Sequence, residues 1–307
     1  MEEIARPATN DATIKYETIV SKIHGKSAGG KVKVEAASGQ TFEFDEVVLT
    51  APLGWLKQHL DAFNPPLPGS MADAIGNISY GCLEKVSRCR VALASLNTPE
   101  LNCLQVYISF PEAFWLRPDV DGGTVQGFCQ WLSPNYALDS NPNRWTHEIV
   151  ELASLTPTTS HPTLLFYIYG DESQHITSSL RSLVTKAKQD DFLFSFFKPY
   201  YSRLPCFDEA DPACRPTGCL ATDWLNDDLA GNGSYGNFQV GLQEGDRDIR
   251  AMREGVPSEG LWLAGEHTAP FVALGTVTGA YWSGESVGRR IAEVYGKGKA
   301  TPLPEGL

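Results

Sequence analysis

The segment Leu261-Trp-Leu-Ala-Gly-Glu-His-Thr268, followed by Gly275-Thr-Val-Thr-Gly-Ala-Tyr-Trp-Ser-Gly284, constrains the fold more than any other stretch of this chain. Its apolar residues predict a short buried strand, Gly265-Glu266 a turn, and the glycine-rich run from Gly275 the start of a helix. That order brings backbone N–H groups and the positive end of a helix dipole to one point, which suits a bound anion or an electron-rich carbonyl. Glu266 falls at the strand's exit, where ligands usually bind in open α/β sheets. Spacing alone fits equally well a plain strand, loop and helix whose glycines serve only close packing.

Upstream, residues 14–24, 31–36 and 41–44 carry β-branched or alternating residues separated by Gly29-Gly30 and Gly39, which predicts a three-stranded antiparallel meander. Val47-Val-Leu49 reads as a fully buried strand that stops at Pro52. A short helix is expected over 53–60. Pro65, Pro66 and Pro68 form a stiff connector, and a domain boundary is placed there. Beyond it, 69–76 reads as helix, 85–92 as strand, and 103–131 as strand, loop and strand with a turn at Asp121-Gly-Gly123. Leu164–Tyr169 reads as a buried strand, Thr177–Lys198 as one helix ending before Pro199, and 205–218 as loop. Val287, Ile291 and Val294 predict a last helix over 283–295, with a disordered tail after it.

Composition narrows the function classes. The 307 residues suffice for two domains, and 42% apolar with 20% charged residues describe a globular protein. A net charge of −12 argues against nucleic acid as a partner and suits a cationic substrate, although most of it reads as solvated surface. The seven cysteines are scattered without metal-ligand spacing, so no metal site and no disulfide frame are expected. No stretch approaches the roughly 18 apolar residues of a membrane helix, and Met1–Pro7 lacks a signal core, so the chain reads as soluble and cytoplasmic. Two N-glycosylation sequons, at Asn77 and Asn232, carry little weight without a secretory context. Gly231-Asn-Gly-Ser-Tyr-Gly236 satisfies G-x-G-x-x-G literally, but no apolar strand precedes it and no helix follows, so a phosphate-binding role is rejected.

Three motif groups resemble the flavin-containing amine oxidases, the family of monoamine oxidases, polyamine oxidases and lysine-specific histone demethylases. The first is Ala264–Thr268 with Gly275–Gly284. The second is Phe44–Lys57, Phe63-Asn-Pro-Pro-Leu-Pro68 and Gly81-Cys-Leu-Glu-Lys-Val86. The third is Trp224 followed by Gly233-Ser-Tyr235. The resemblance implies α/β plus α+β architecture. A partial FAD-binding, glutathione-reductase-like domain (10–64 and 251–296) would carry an inserted mixed-sheet substrate domain (65–250), with 297–307 as disordered tail.

It further implies FAD as cofactor and a small amine or polyamine as substrate. A neutral amine would lose a hydride equivalent to the flavin, the imine would be hydrolysed, and oxygen would be reduced to peroxide. Lys85 would stand beside the flavin N5 and stabilise charge developing on oxygen. From the residues alone it reads as a strand-start lysine with its head in solvent. Tyr235 would place an aromatic ring before the flavin and guide the amine by cation–π attraction, or else pack on its own domain. For the cofactor, Glu266 would bond the ribityl or pyrophosphate region, backbone of Thr276 and Val277 would meet the ring edge, and Val20 would meet adenine. Pro52, Trp224 and Gly265 complete the implied contacts, Trp224 being equally readable as a core tryptophan.

The chain departs from the family in one respect. The opening strand, G-x-G-x-x-G turn and helix, with an acidic residue about twenty positions on, have no counterpart before residue 50. A truncated chain or a degenerate, non-catalytic relative is therefore expected, with weak flavin binding. A different flavoprotein oxidase or desaturase is the remaining alternative. The oligomeric state is left open.

Overall fold

The structure, a computed structural model, describes residues 2–26, 30–81, 103–118, 123–156, 158–239 and 241–297. The chain divides into two compact units, Met1–Tyr80 with Tyr235–Leu307, and Gly81–Ser234. Lys85, the strand expected over 85–92, the Asp121-Gly122 turn and the tail from 298 lie outside the described residues.

The first unit opens with an exposed helix α1 (Glu2–Asp11). The expected meander follows as β1 (Val20–His24), β2 (Val32–Ala36) and β3 (Thr41–Phe44), antiparallel in the order β3-β2-β1. β2 shows why it forms: Val32, Val34 and Ala36 point inward while Lys33 and Glu35 point out, the period of two that a half-buried strand requires. β1 starts at Val20 and not at residue 14, since Ile14 and Ile19 are exposed and Glu17 has φ of 53°. β4 (Val47–Leu49) is only part-buried, Val48 being exposed, which corrects the fully buried strand expected there. After α2 (Leu53–Gln58) and β5 (Phe63–Asn64), which joins β1 in parallel, comes α3 (Gly69–Asn77). The chain leaves the unit through β6 (Ser79–Gly81).

The second unit is built on a five-stranded antiparallel sheet. Its strands are β7 (Cys103–Ser109), β8 (Phe128–Trp131), β9 (His147–Glu151), β10 (Thr163–Tyr169) and β11 (Gly218–Ala221), in the order β11-β7-β10-β9-β8. β10 is central, with Phe166 opposite Val106 on one side and Ile149 on the other. The single helix expected over 177–198 is two, α4 (Gly170–Ser182) and α5 (Lys186–Tyr201). Thr185 breaks the run by capping α5 with its side chain, and Pro199 is tolerated within the last turn. Leu193, Phe196, Phe197, Tyr200 and Tyr201 recur at helical spacing and form the buried face of α5. Under it lies a buried polar contact, His147 Nε2 2.9 Å from Glu172 Oε1, with the His147 ring 4.0 Å from that of Tyr200.

The chain returns through β12 (Tyr235–Asn237), which pairs with β6. Gly231–Gly236 thus runs into a strand and not a helix. Next come α6 (Gly245–Glu254), β13 (Leu261–Leu263) and α7 (Val277–Val294). α7 starts six residues before the apolar periodicity shows it, because Thr276 caps it. Ile249 and Met252 of α6 share a core with Met71, Ala74 and Ile75 of α3. This packing puts the unit boundaries at 80/81 and 234/235, where the sequence suggested 64/65 and 250/251. Among the described residues no helix is long and apolar enough to cross a membrane.

Candidate flavin site

β13 and β4 pair in parallel, Leu261 opposite Val47 and Leu263 opposite Leu49, and the Ala264 N–H extends the ladder to the Leu49 carbonyl at 2.9 Å. Parallel pairing sends both strand exits to the same side, so Pro52, which leads into α2, and Gly265, which leads into the Glu266–Thr268 turn, emerge together. Among the described residues this sheet has two strands.

Gly265 is fixed by its neighbours. Its φ is 155°, and a Cβ there would lie 2.6 Å from Cε1 of His267. Its N–H donates to Ser283 Oγ at 2.8 Å, and that hydroxyl donates to the Ala280 carbonyl, which ties the strand exit to α7. Gly279 lets the helix start approach equally closely, since a Cβ would meet the Ala273 carbonyl oxygen at 2.1 Å. Thr276 Oγ1 accepts from the Gly279 N–H at 2.9 Å and donates to the Ala273 carbonyl at 2.8 Å. The Thr276 N–H donates to the Ala273 carbonyl at 3.3 Å and its own carbonyl accepts from the Ala280 N–H at 3.0 Å, so the exposed first turn at Val277 is what the helix start presents.

Glu266 is the best-held polar group of the site. Its Oε1 accepts from the Gly236 N–H at 2.8 Å and its Oε2 from the Gly275 N–H at 2.9 Å. Burial pushes its pKa above the usual carboxylate value, and the two amides oppose that rise. Gly275, with φ of 72°, lies against Tyr235: a Cβ there would be 2.9 Å from Cδ2 of the ring. His267 is 1% exposed, its Nε2 has no hydrogen-bond partner among the described residues, and burial lowers its pKa to about 4.

Tyr235, Gly265, Glu266, Thr276 and Val277 are therefore brought into one neighbourhood of the first unit. Pro52 joins them through Leu53, whose Cδ2 lies 3.6 Å from where a Cβ on Gly236 would stand. Val20 begins β1 in the separate meander sheet and packs on the shared core. Trp224 belongs to the second unit, where it opens a 3-10 turn and is 38% exposed. Lys85 lies outside the described residues. No sequence pattern assigned a role to His267 or to the amides of Gly236 and Gly275. Only the glycines themselves, one of them in the rejected G-x-G-x-x-G run, hinted at them.

Set against known proteins, the sequence model of the family described as "Flavin containing amine oxidoreductase" matches residues 1–88 and 92–292. This chain belongs to that family. Human peroxisomal N(1)-acetyl-spermine/spermidine oxidase is 26% identical over 314 residues, covering 97% of this chain and 54% of its own length. A Drosophila melanogaster protein, possible lysine-specific histone demethylase 1, is 27% identical over 96% of this chain and 30% of its own. Among solved structures, cyclohexylamine oxidase from Brevibacterium oxydans superposes with a TM-score of 0.53 at 16% identity, covering 90% of this chain and 47% of that one. The likeness shows an amine oxidase fold. The chain spans about half or less of the length of these relatives.

Proposed function

We propose that the chain carries the FAD-facing part of an amine oxidase, which oxidises a small amine or polyamine to an imine with oxygen reduced to peroxide. The observation that supports this most is the convergence of the β4 and β13 exits with the capped start of α7, built from Pro52, Gly265, Glu266, Thr276 and Val277. One feature fits a flavin: the exposed first turn of α7 at Val277 stands at the positive end of the helix dipole, whereas the amides of Gly236, Gly265, Gly275 and Gly279 are bonded within the protein. When bound, FAD would supply the oxidising equivalents. The protein's part is orientation, electrostatics and exclusion of water.

In this reading Tyr235 presents an aromatic ring to the incoming amine, and Lys85 stabilises negative charge developing on oxygen. Val20 and Trp224 are the remaining assigned contacts, to adenine and to the flavin surroundings. The segments 10–64 and 251–296 serve FAD and the inserted segment serves substrate. A net charge of −12 favours an approaching cation.

A non-catalytic relative is the second reading: among the described residues the parallel sheet has two strands, whereas parallel sheets ordinarily bury both faces under further strands and helices. Purified chain mixed with excess FAD and passed through a desalting column separates the two. Retained flavin absorbance together with amine-dependent peroxide release supports the oxidase. Flavin-free protein sinks it in favour of the relative.

A further inference from the structure

Gly236 and Gly275 are far apart in the chain, yet both donate their backbone N–H groups to one carboxylate, that of Glu266. Each adjoins a residue on which the oxidase reading depends: Gly236 follows Tyr235, and Gly275 precedes Thr276. The space around them is filled. A Cβ on Gly236 would stand 3.3 Å from Glu266 Oε2, and one on Gly275 would stand 2.9 Å from the Tyr235 ring. The ring thus lies directly against the turn that opens α7. A carboxylate is the side chain suited to this place, because both of its oxygens accept. A glutamine would satisfy one amide and turn a donor toward the other.

We propose that Glu266 is a positioning residue, a clasp whose carboxylate holds Tyr235 and the Thr276–Val277 turn in one geometry, with its oxygens directed at the protein and not at the cofactor. Tyr235 and Thr276 matter here because of the amine oxidase reading. The clasp itself is a property of the polypeptide and is measured without flavin.

The test uses the full chain, free of FAD, and amide hydrogen exchange. In the unaltered protein Gly236 and Gly275 should show the same protection, since departure of one carboxylate frees both. In Glu266→Gln, exchange should accelerate by about tenfold or more at the glycine whose N–H then faces the amide nitrogen, the effect of losing a hydrogen bond to a charged group. A 3-fluorotyrosine placed at 235 should shift its fluorine resonance in that variant, while one at Tyr281, exposed on α7, should not. If Glu266→Gln fails to fold, the shared protection in the unaltered chain decides alone. Exchange of either glycine at the rate of a free amide overturns the clasp. So does a Glu266→Gln protein with unchanged exchange and an unchanged Tyr235 signal, and if FAD uptake is also weakened the carboxylate belongs to the cofactor. Absence of flavin uptake by the unaltered chain would sink the oxidase reading and leave the clasp standing.

Discussion

His267 shows how one buried side chain can set a pH dependence. Its imidazole is neutral in the folded protein because burial lowers its pKa from 6.5 to about 4. The unfolded chain binds a proton below 6.5, and the folded one does so only near 4. Stability from this group is therefore complete above pH 6.5 and declines as the pH falls toward 4. The gap corresponds to about 3 kcal/mol at most. His267→Gln removes the titration, so the fall in Tm between these pH values should be shallower than in the unaltered chain. Equal steepness in both proteins would show that other groups govern acid unfolding.

Single elements are held by features that differ in how visible they are from sequence. Thr276→Ala deletes the cap of α7 and should lower stability by about 1 kcal/mol, read from the shift of a urea midpoint. An unchanged midpoint would mean that the helix start is held by packing alone. In the second unit, Glu172 joins α4 to His147 on β9. Glu172→Ala leaves a buried imidazole nitrogen without its partner and should destabilise by roughly 1–3 kcal/mol, whereas replacing both residues by apolar ones should restore most of the loss. If the double variant is as weak as the single one, shape and not the polar contact holds the joint. The meander was legible because Val32, Val34 and Ala36 alternate with charges, and the strand, turn and helix around Gly265 because their glycines stand at a breaking point. The division of α4 from α5 was hidden, since Thr185 interrupts a run whose polar and apolar residues suit a helix throughout. α6 went unread because its charged surface outweighs Ile249 and Met252, the two apolar residues it buries. The partners of Glu266 could not be read at all, because hydrogen bonds to backbone amides leave no side-chain signature.

Among the described residues each unit has its own main apolar core, and a smaller cluster of Trp262, Ala264 and Val287 lies in the first unit. One main core gathers Leu53, Leu56, Ile75, Met252 and Leu263 in the first unit, and the other Trp115, Phe166, Phe197 and Tyr200 in the second. Calorimetry should accordingly resolve two unfolding transitions, and Phe166→Ala should lower one of them alone, by roughly 3–5 kcal/mol of stability. A single transition that shifts as a whole would show that the units unfold together.

The parallel pairing of Val47–Leu49 with Leu261–Leu263 also sets the timing of assembly in the cell. The second unit is continuous in sequence and can close while the ribosome is still at work. The first strand of the pair must wait for a partner that is synthesised only after that unit is complete. At roughly 5–20 residues per second the delay is on the order of ten seconds or more. During that interval the nascent β4 keeps an unpaired edge and a bare Leu49, the features by which a chaperone engages a strand.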